Sequence, residues 1–175
     1  YEASSGQLYA QPYNGSTLIF FGNMEELGKV GVTELPQTWE GIEDAARKLK
    51  EAGHACPLVT DGHPWRVLEQ FAAIHGLPIA TQNNGYGGLN AEYVYNQGLI
   101  AEHMQNLADW HADGLWKLSA ETTAGNYEAA FAAGECAMIV QGTGFYSTAH
   151  TALGDKLNIR LAPIYEGHER HNNII

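Results

Sequence analysis

Short apolar runs alternate with helical stripes along this chain, and that alternation sets the expected architecture. Leu8–Tyr13 reads as an extended stretch, and Asn14-Gly15-Ser16-Thr17 as a polar turn cluster. The run Leu18-Ile19-Phe20-Phe21 predicts a buried strand, Met24–Gly28 a short helical turn and Gly31–Pro36 a loop. Thr38 suits the N-cap of a helix whose Ile42, Ala45, Ala46 and Leu49 recur on one face, with Gly53 as its left-handed stop. A short strand is expected over Ala55–Val59. The turn Thr60-Asp61-Gly62-His63-Pro64-Trp65 then leads into a helix with Val67, Phe71 and Ile74 inward, ended by Gly76.

Gln82–Leu89, rich in Asn and Gly, predicts a loop. A third helix is expected over Leu99–Ala112, burying Ile100, Met104, Leu107 and Trp110 or His111, and a fourth over Asn126–Ala133, stopped at Gly134. Cys136–Val140 is an apolar run of strand length, broken at Gly142-Thr143-Gly144 before a helix to Leu153. Asn158–Ile164 is the last strand candidate, and no closing helix follows it. Strands alternating with helices predict an α/β fold with a largely parallel sheet covered by helices.

Composition narrows the class. Of 175 residues, 45% are apolar and 17% charged, enough for a core and against disorder. Nine Lys and Arg against twenty Asp and Glu give a net charge of −11, which makes nucleic acid and anionic lipid poor partners. A local anion site remains compatible with that field, because short-range donors act where the long-range field is screened. Cys56 and Cys136 sit at the entrances of two strands that could be neighbours, and either one bridge or two buried thiols fits them.

Two strand-to-helix turns carry the candidate chemistry, since ligands of open α/β sheets bind beyond the carboxyl ends of strands. At Gly142-Thr143-Gly144 the backbone can be approached closely and a helix start presents N–H groups. That makes an anion or sugar-hydroxyl cradle or, more plainly, a tight turn. At Asp61–Trp65 the indole can stack on the CH face of a polyol, or simply pack at a helix start. His168-Glu-Arg-His171 has helical metal-ligand spacing but no third ligand, so no metal or other cofactor is expected. His103 and His111 read as amphipathic surface or core residues, and Asn14-Gly15-Ser16 as a glycosylation triplet relevant only in a secreted eukaryotic chain. Ser16, Ser147, His63 and Asp61 can be drawn as a triad, but there is no nucleophile elbow, and no catalytic residue is assigned.

The order of pieces resembles a known family. Pro12-Tyr-Asn-Gly-Ser-Thr17, Leu35-Pro-Gln-Thr-Trp-Glu40, Arg47–Gly53 and Gly134-Glu-Cys-Ala-Met138 are similar to segments of the extracellular solute-binding proteins of ABC importers, the family of maltose-binding protein. Cys56, Trp65, Gly76-Leu-Pro78, Asn83-Asn-Gly-Tyr86 and the Cys of Gly-Glu-Cys-Ala-Met resemble its sn-glycerol-3-phosphate-binding branch. The resemblance implies a periplasmic or extracellular, membrane-associated protein, a monomer and not an enzyme. It would deliver glycerol phosphate, a glycerophosphodiester or a sugar to permease subunits.

The same resemblance places ligand contacts at Ser16, Trp65, Gly142, Thr143 and Gly144, and the strand-end turn adds Asp61 as a candidate contact. It implies a partial two-lobe fold, with residues 1–17 as a crossing segment, 18–165 as a C-terminal-type lobe and 166–175 crossing back. The other lobe, and further contacts beyond Ile175, are expected to lie outside this chain. Two departures stand out: Gly142 replaces a Ser hydroxyl, and Gly62 replaces a second aromatic, leaving room for a larger ligand such as a glycerophosphodiester. Outside the resemblance, the alternatives are an enzyme using Asp61 and His63 as acid and base, and an interaction scaffold with no small ligand.

Overall fold

The computed structural model describes residues 6, 7, 10, 11, 13 and 15–171. The extended reading of Leu8–Tyr13 rests largely on residues outside that set, and Asn14 lies outside it. One five-stranded sheet organises the chain: β1 (Leu18–Asn23), β2 (Leu58–Thr60), β3 (Trp116–Leu118), β4 (Met138–Gly142) and β5 (Leu157–Leu161), in the order β3-β2-β4-β1-β5. β2 pairs in parallel with β3 and β4, while β1 runs antiparallel to both β4 and β5. The largely parallel α/β architecture is therefore present with one reversed strand. The reversal puts the start of β1 beside the end of β4, with Leu18 opposite Gly142.

Strand alternation explains the two faces. Leu18, Phe20, Leu58, Met138 and Val140 point into one core, with Ile42, Leu49, Phe71, Leu107 and Trp110 from the helices α2 (Trp39–Glu51), α3 (Gln70–Ile74) and α4 (Gly98–Ala112). Phe21, Val59 and Ile139 point the other way, against Tyr127 and Phe131 of α5 (Tyr127–Ala132) and Ala149 of α6 (Tyr146–Leu153). A short α1 (Met24–Lys29) follows β1, with Asn23 accepting a hydrogen bond from Glu25 N–H at its start. Thr38 caps α2 as expected, through Gly41 N–H at 3.2 Å.

Several sequence expectations need correction. β3 was not foreseen; its three residues carry too little pattern to register. The last strand ends at Leu161 instead of Ile164, because Pro163 has no N–H to continue the ladder. Met104 is not inward: Ile100, His103, Leu107 and Trp110 form the buried stripe, and Met104 lies one position round the helix, 36% exposed. The strand expected over Cys136–Val140 runs two residues later, Met138–Gly142, and the break falls where the glycines place it, in a 3₁₀ turn over Thr143–Phe145 that runs straight into α6. The expected loop over Gln82–Leu89 contains a left-handed turn in which Gln82, Asn83 and Asn84 all have positive φ. Asn84 Oδ1 holds it by accepting Ile79 N–H at 2.9 Å and Ala80 N–H at 3.1 Å.

Cys56 and Cys136 are bonded as a disulfide, fully buried, with Cα atoms 4.6 Å apart at the amino ends of β2 and β4. The bridge closes a long loop, 80 residues in sequence separation, so it removes much freedom from the unfolded chain. Beside α4, a ring cluster packs Trp39, Phe71, His75, His103 and Tyr165. His103 stacks on Phe71 at 3.9 Å and shares a hydrogen bond with Tyr165 Oη at 3.0 Å. His75 Nδ1 donates to Phe71 C=O at 2.8 Å, and Nε2 accepts Tyr165 N–H at 3.1 Å. His168 meets the His75 ring edge-on at 5.7 Å, and His171 N–H donates to Ile74 C=O at 2.7 Å, so these two histidines pack the tail onto α3. Among the described residues no group of three His, Cys, Asp or Glu is placed to hold a metal, and no helix is long and apolar enough to cross a membrane.

Two measurements follow from this packing. Replacing both cysteines by Ala should lower unfolding free energy by about 2–4 kcal/mol in urea titration, and reduction of the native chain should do the same. Burial holds His103 down to about 3 and pushes His75 below its ordinary value. Both are neutral when folded, whereas the unfolded chain takes up their protons below about 6.5. Stability is thus full above that pH and falls on acidification. His103 alone should cost about 2 kcal/mol between pH 7.5 and 5, and His103→Gln should flatten the slope.

Candidate functional site

Three strand ends meet at one edge of the sheet. β2 and β4 are adjacent and parallel, with Val59 opposite Ile139, so β2 ends two residues before Gly142 closes β4, and the reversed β1 adds Ser16 and Thr17 from below Leu18. The two turns singled out in the sequence therefore lie together. Arg66 Nε donates to Gln141 Oε1 at 3.0 Å and ties one turn to the other.

The first turn is held by its own side chains. Thr60 Oγ1 accepts Gly62 N–H at 2.9 Å, and Asp61 Oδ1 accepts His63 N–H at 3.0 Å. Gly62 has φ +70, a conformation that favours glycine, and a Cβ there would stand 2.6 Å from Leu118 Cδ2 and push that side chain aside. After Pro64 the helix opens as a wide π turn over Trp65–Glu69, with Gln70 N–H reaching Trp65 C=O. Arg66 then pairs with Asp61 Oδ2, its guanidinium 4.2 Å from the Trp65 ring centroid and 5.5 Å from that of Tyr127.

Gln141 is the hub. It is 3% exposed, and each end of its amide is used. Oε1 accepts from Arg66 and from Gly142 N–H at 2.6 Å, while Nε2 donates to Tyr127 Oη and to Glu128 Oε1. Burial pushes the Tyr127 phenol up, above its usual range. Behind Arg66 an apolar cavity of about 20 Å³, lined by Leu18, Thr60, Val140, Ala162 and Trp39 among others, leaves space for one small group.

The predicted site residues fall into three kinds. Ser16 and Gly142 touch: a Cβ on Gly142 would stand 3.1 Å from Ser16 Oγ. Trp65 is half-buried, with its ring face covered by Arg66. Gly144 and Thr143 are exposed, and Gly144 faces open space. The expected cradle of unused N–H groups is corrected at two positions, since Gly142 N–H is held by Gln141 and Thr143 N–H donates to Thr17 C=O at 3.0 Å. Asp61 is committed to Arg66 and to the His63 backbone, not to the His63 imidazole, and that ring instead accepts Trp65 N–H at 3.4 Å. Ser147 lies away from them on α6, beside Thr148 and Thr151, so the paper triad is not assembled.

Gln141, Tyr127 and Glu128 were not foreseen. One signal was present: a polar residue closing the apolar run Cys136–Val140, where a strand end needs its donors and acceptors answered.

The α/β fold sets the frame in which this chain compares with known proteins. The family model for "bacterial extracellular solute-binding protein" matches residues 1–170, and the chain belongs to that family. It is 32% identical, over 99% of its length, to the sn-glycerol-3-phosphate-binding periplasmic protein UgpB of Rhizobium meliloti, and 33% identical, over 82%, to that of Pectobacterium atrosepticum. The chain spans about 40% of the first relative's length and about 32% of the second's. A solved structure titled chitin oligosaccharide binding protein superposes with a TM-score of 0.70 over 94% of this chain and 42% of its own, at 21% identity, which bears on the fold.

Truncating the hub tests this geometry. Gln141→Ala leaves Gly142 N–H and Arg66 Nε without their acceptor, and should cost about 2–3 kcal/mol in denaturant unfolding. A loss below about 0.5 kcal/mol would show that the strand ends hold together without it.

Proposed function

We propose that this chain is a ligand-binding lobe of the substrate-binding component of an ABC importer. It captures a small polyol phosphate, such as glycerol-3-phosphate or a glycerophosphodiester, outside the cytoplasmic membrane and hands it to permease subunits. The carrying observation is the convergence of Trp65, Arg66, Ser16 and Thr143 at one sheet edge. The part of the Trp65 ring that Arg66 leaves uncovered offers contact area to the CH groups of glycerol, hydroxyls orient its oxygens, and the guanidinium N–H groups not spent on Asp61 and Gln141 attract the phosphate. The glycerol-3-phosphate binders among the relatives support the phosphate reading.

In this reading residues 1–17 and 166–175 are segments that cross to a second lobe, and ligand is held by hinge closure between the two. Catalysis has no part in it, a monomer suffices, and the net charge of −11 makes nucleic acid a poor partner. A neutral sugar is the second reading. Its support is that Arg66 is already paired with Asp61, which leaves the edge without excess positive charge.

Calorimetry on the full-length protein decides between them. Glycerol-3-phosphate or a glycerophosphodiester should bind, and a response to maltose alone would replace the phosphate reading with the sugar one. Trp65→Ala should weaken binding by about 1–3 kcal/mol, and an unchanged affinity would make Trp65 a packing residue.

A further inference from the structure

Arg66 is the guanidinium best placed to meet an anionic solute, and it already has an anion. Asp61 Oδ2 sits on Nη1, while Nε is spent on Gln141. The pair is shielded, with the Arg66 side chain 15% exposed and that of Asp61 21%, so solvent screens it weakly. The other Asp61 oxygen accepts His63 N–H, which fixes the carboxylate in place before any solute arrives. Glu128 brings a second carboxylate to the far side of Gln141. One cation and two carboxylates leave this group with an excess of negative charge.

We propose that Asp61 is the resident counter-anion of Arg66 and sets the charge selectivity of the edge. It occupies the place on the guanidinium that a phosphate or sulfate oxygen would take. An anion that takes this place must displace Asp61, and one that comes to the remaining guanidinium N–H groups still meets the Asp61 and Glu128 carboxylates close by. A compact inorganic dianion loses most in that exchange. A neutral or singly charged hydroxylated solute loses least, because it can bond to hydroxyls and lean on Trp65 without breaking the pair. This rests on the edge being the solute site, and it refines the solute class: hydroxylated and weakly charged, with inorganic phosphate rejected. Asp61 is thereby a specificity residue that acts by opposing a ligand.

Asp61→Asn keeps the shape and the acceptor for His63 N–H while removing the charge. In the full-length protein, calorimetry with inorganic phosphate and with sulfate should show binding about tenfold tighter than in the parent, fading as salt is raised. The double variant Asp61→Asn/Arg66→Gln should lose that gain. Asp61→Ser, which also keeps a cap acceptor, repeats the test should the first variant melt early. Unchanged or weaker phosphate binding in both single variants would overturn the proposal, as would a gain that survives loss of Arg66. The readout needs no knowledge of the natural solute. Failure of the transport reading would show separately, as a parent protein that binds no polyol, phosphate ester or sugar.

Discussion

The contact between Arg66 and Gln141 is the constraint on which the rest of the edge depends. β2 and β4 are neighbours in the sheet, yet their chains depart in opposite senses, one into the wide turn at Trp65 and the other into the 3₁₀ turn at Thr143. Backbone pairing stops where the strands stop. Beyond that point a single buried amide carries the registration: it holds Arg66 on one side and Gly142 on the other, and anchors both to Tyr127 and Glu128. A network with every member satisfied is rigid, whereas the same groups half-satisfied would be a weakness.

A second constraint is the reversal of β1. Had that strand run with its neighbours, Ser16 would lie at the far edge, beside the buried cysteines. Running against them, it delivers its leading hydroxyl to Gly142 and lends Thr17 C=O to Thr143. The ring cluster of Trp39, Phe71, His75, His103 and Tyr165 does for the end of the chain what Gln141 does for the turns. It ties the segment after β5 to α3 through Tyr165 N–H and the His75 ring.

Much of this was legible in the residues. Apolar runs and caps marked β1, α2 and β4 because each is long or sharply punctuated: Thr38 in front of a regular stripe, and Gly134 before Cys136. Both turns were found, because glycine and proline at strand ends are strong signals. What stayed hidden needs partners distant in sequence. A buried His103 looks like any polar residue until Phe71 is known to stack on it, and Met104 is the more hydrophobic choice until helix phase is set by Trp110. The hub escaped because one Gln is unremarkable in a sequence; only the fold brings Arg66 and Tyr127 to it. The free N–H cradle was overestimated for the same reason, since the competing acceptors, Gln141 Oε1 and Thr17 C=O, come from side-chain folding and from a neighbouring strand.

The disulfide lies at the opposite end of the two strands that carry the turns. Strand pairs can slip, and a shift of β2 by one residue would send Val59 to the wrong face and break its register with Ile139. A covalent tie at Cys56 and Cys136 forbids that sliding motion at one end of the strands, and the Arg66–Gln141 hydrogen bond holds the other. The strand pair is thus pinned at both ends, like a splint bound twice: by a covalent bond at its base and by one buried amide where the turns leave.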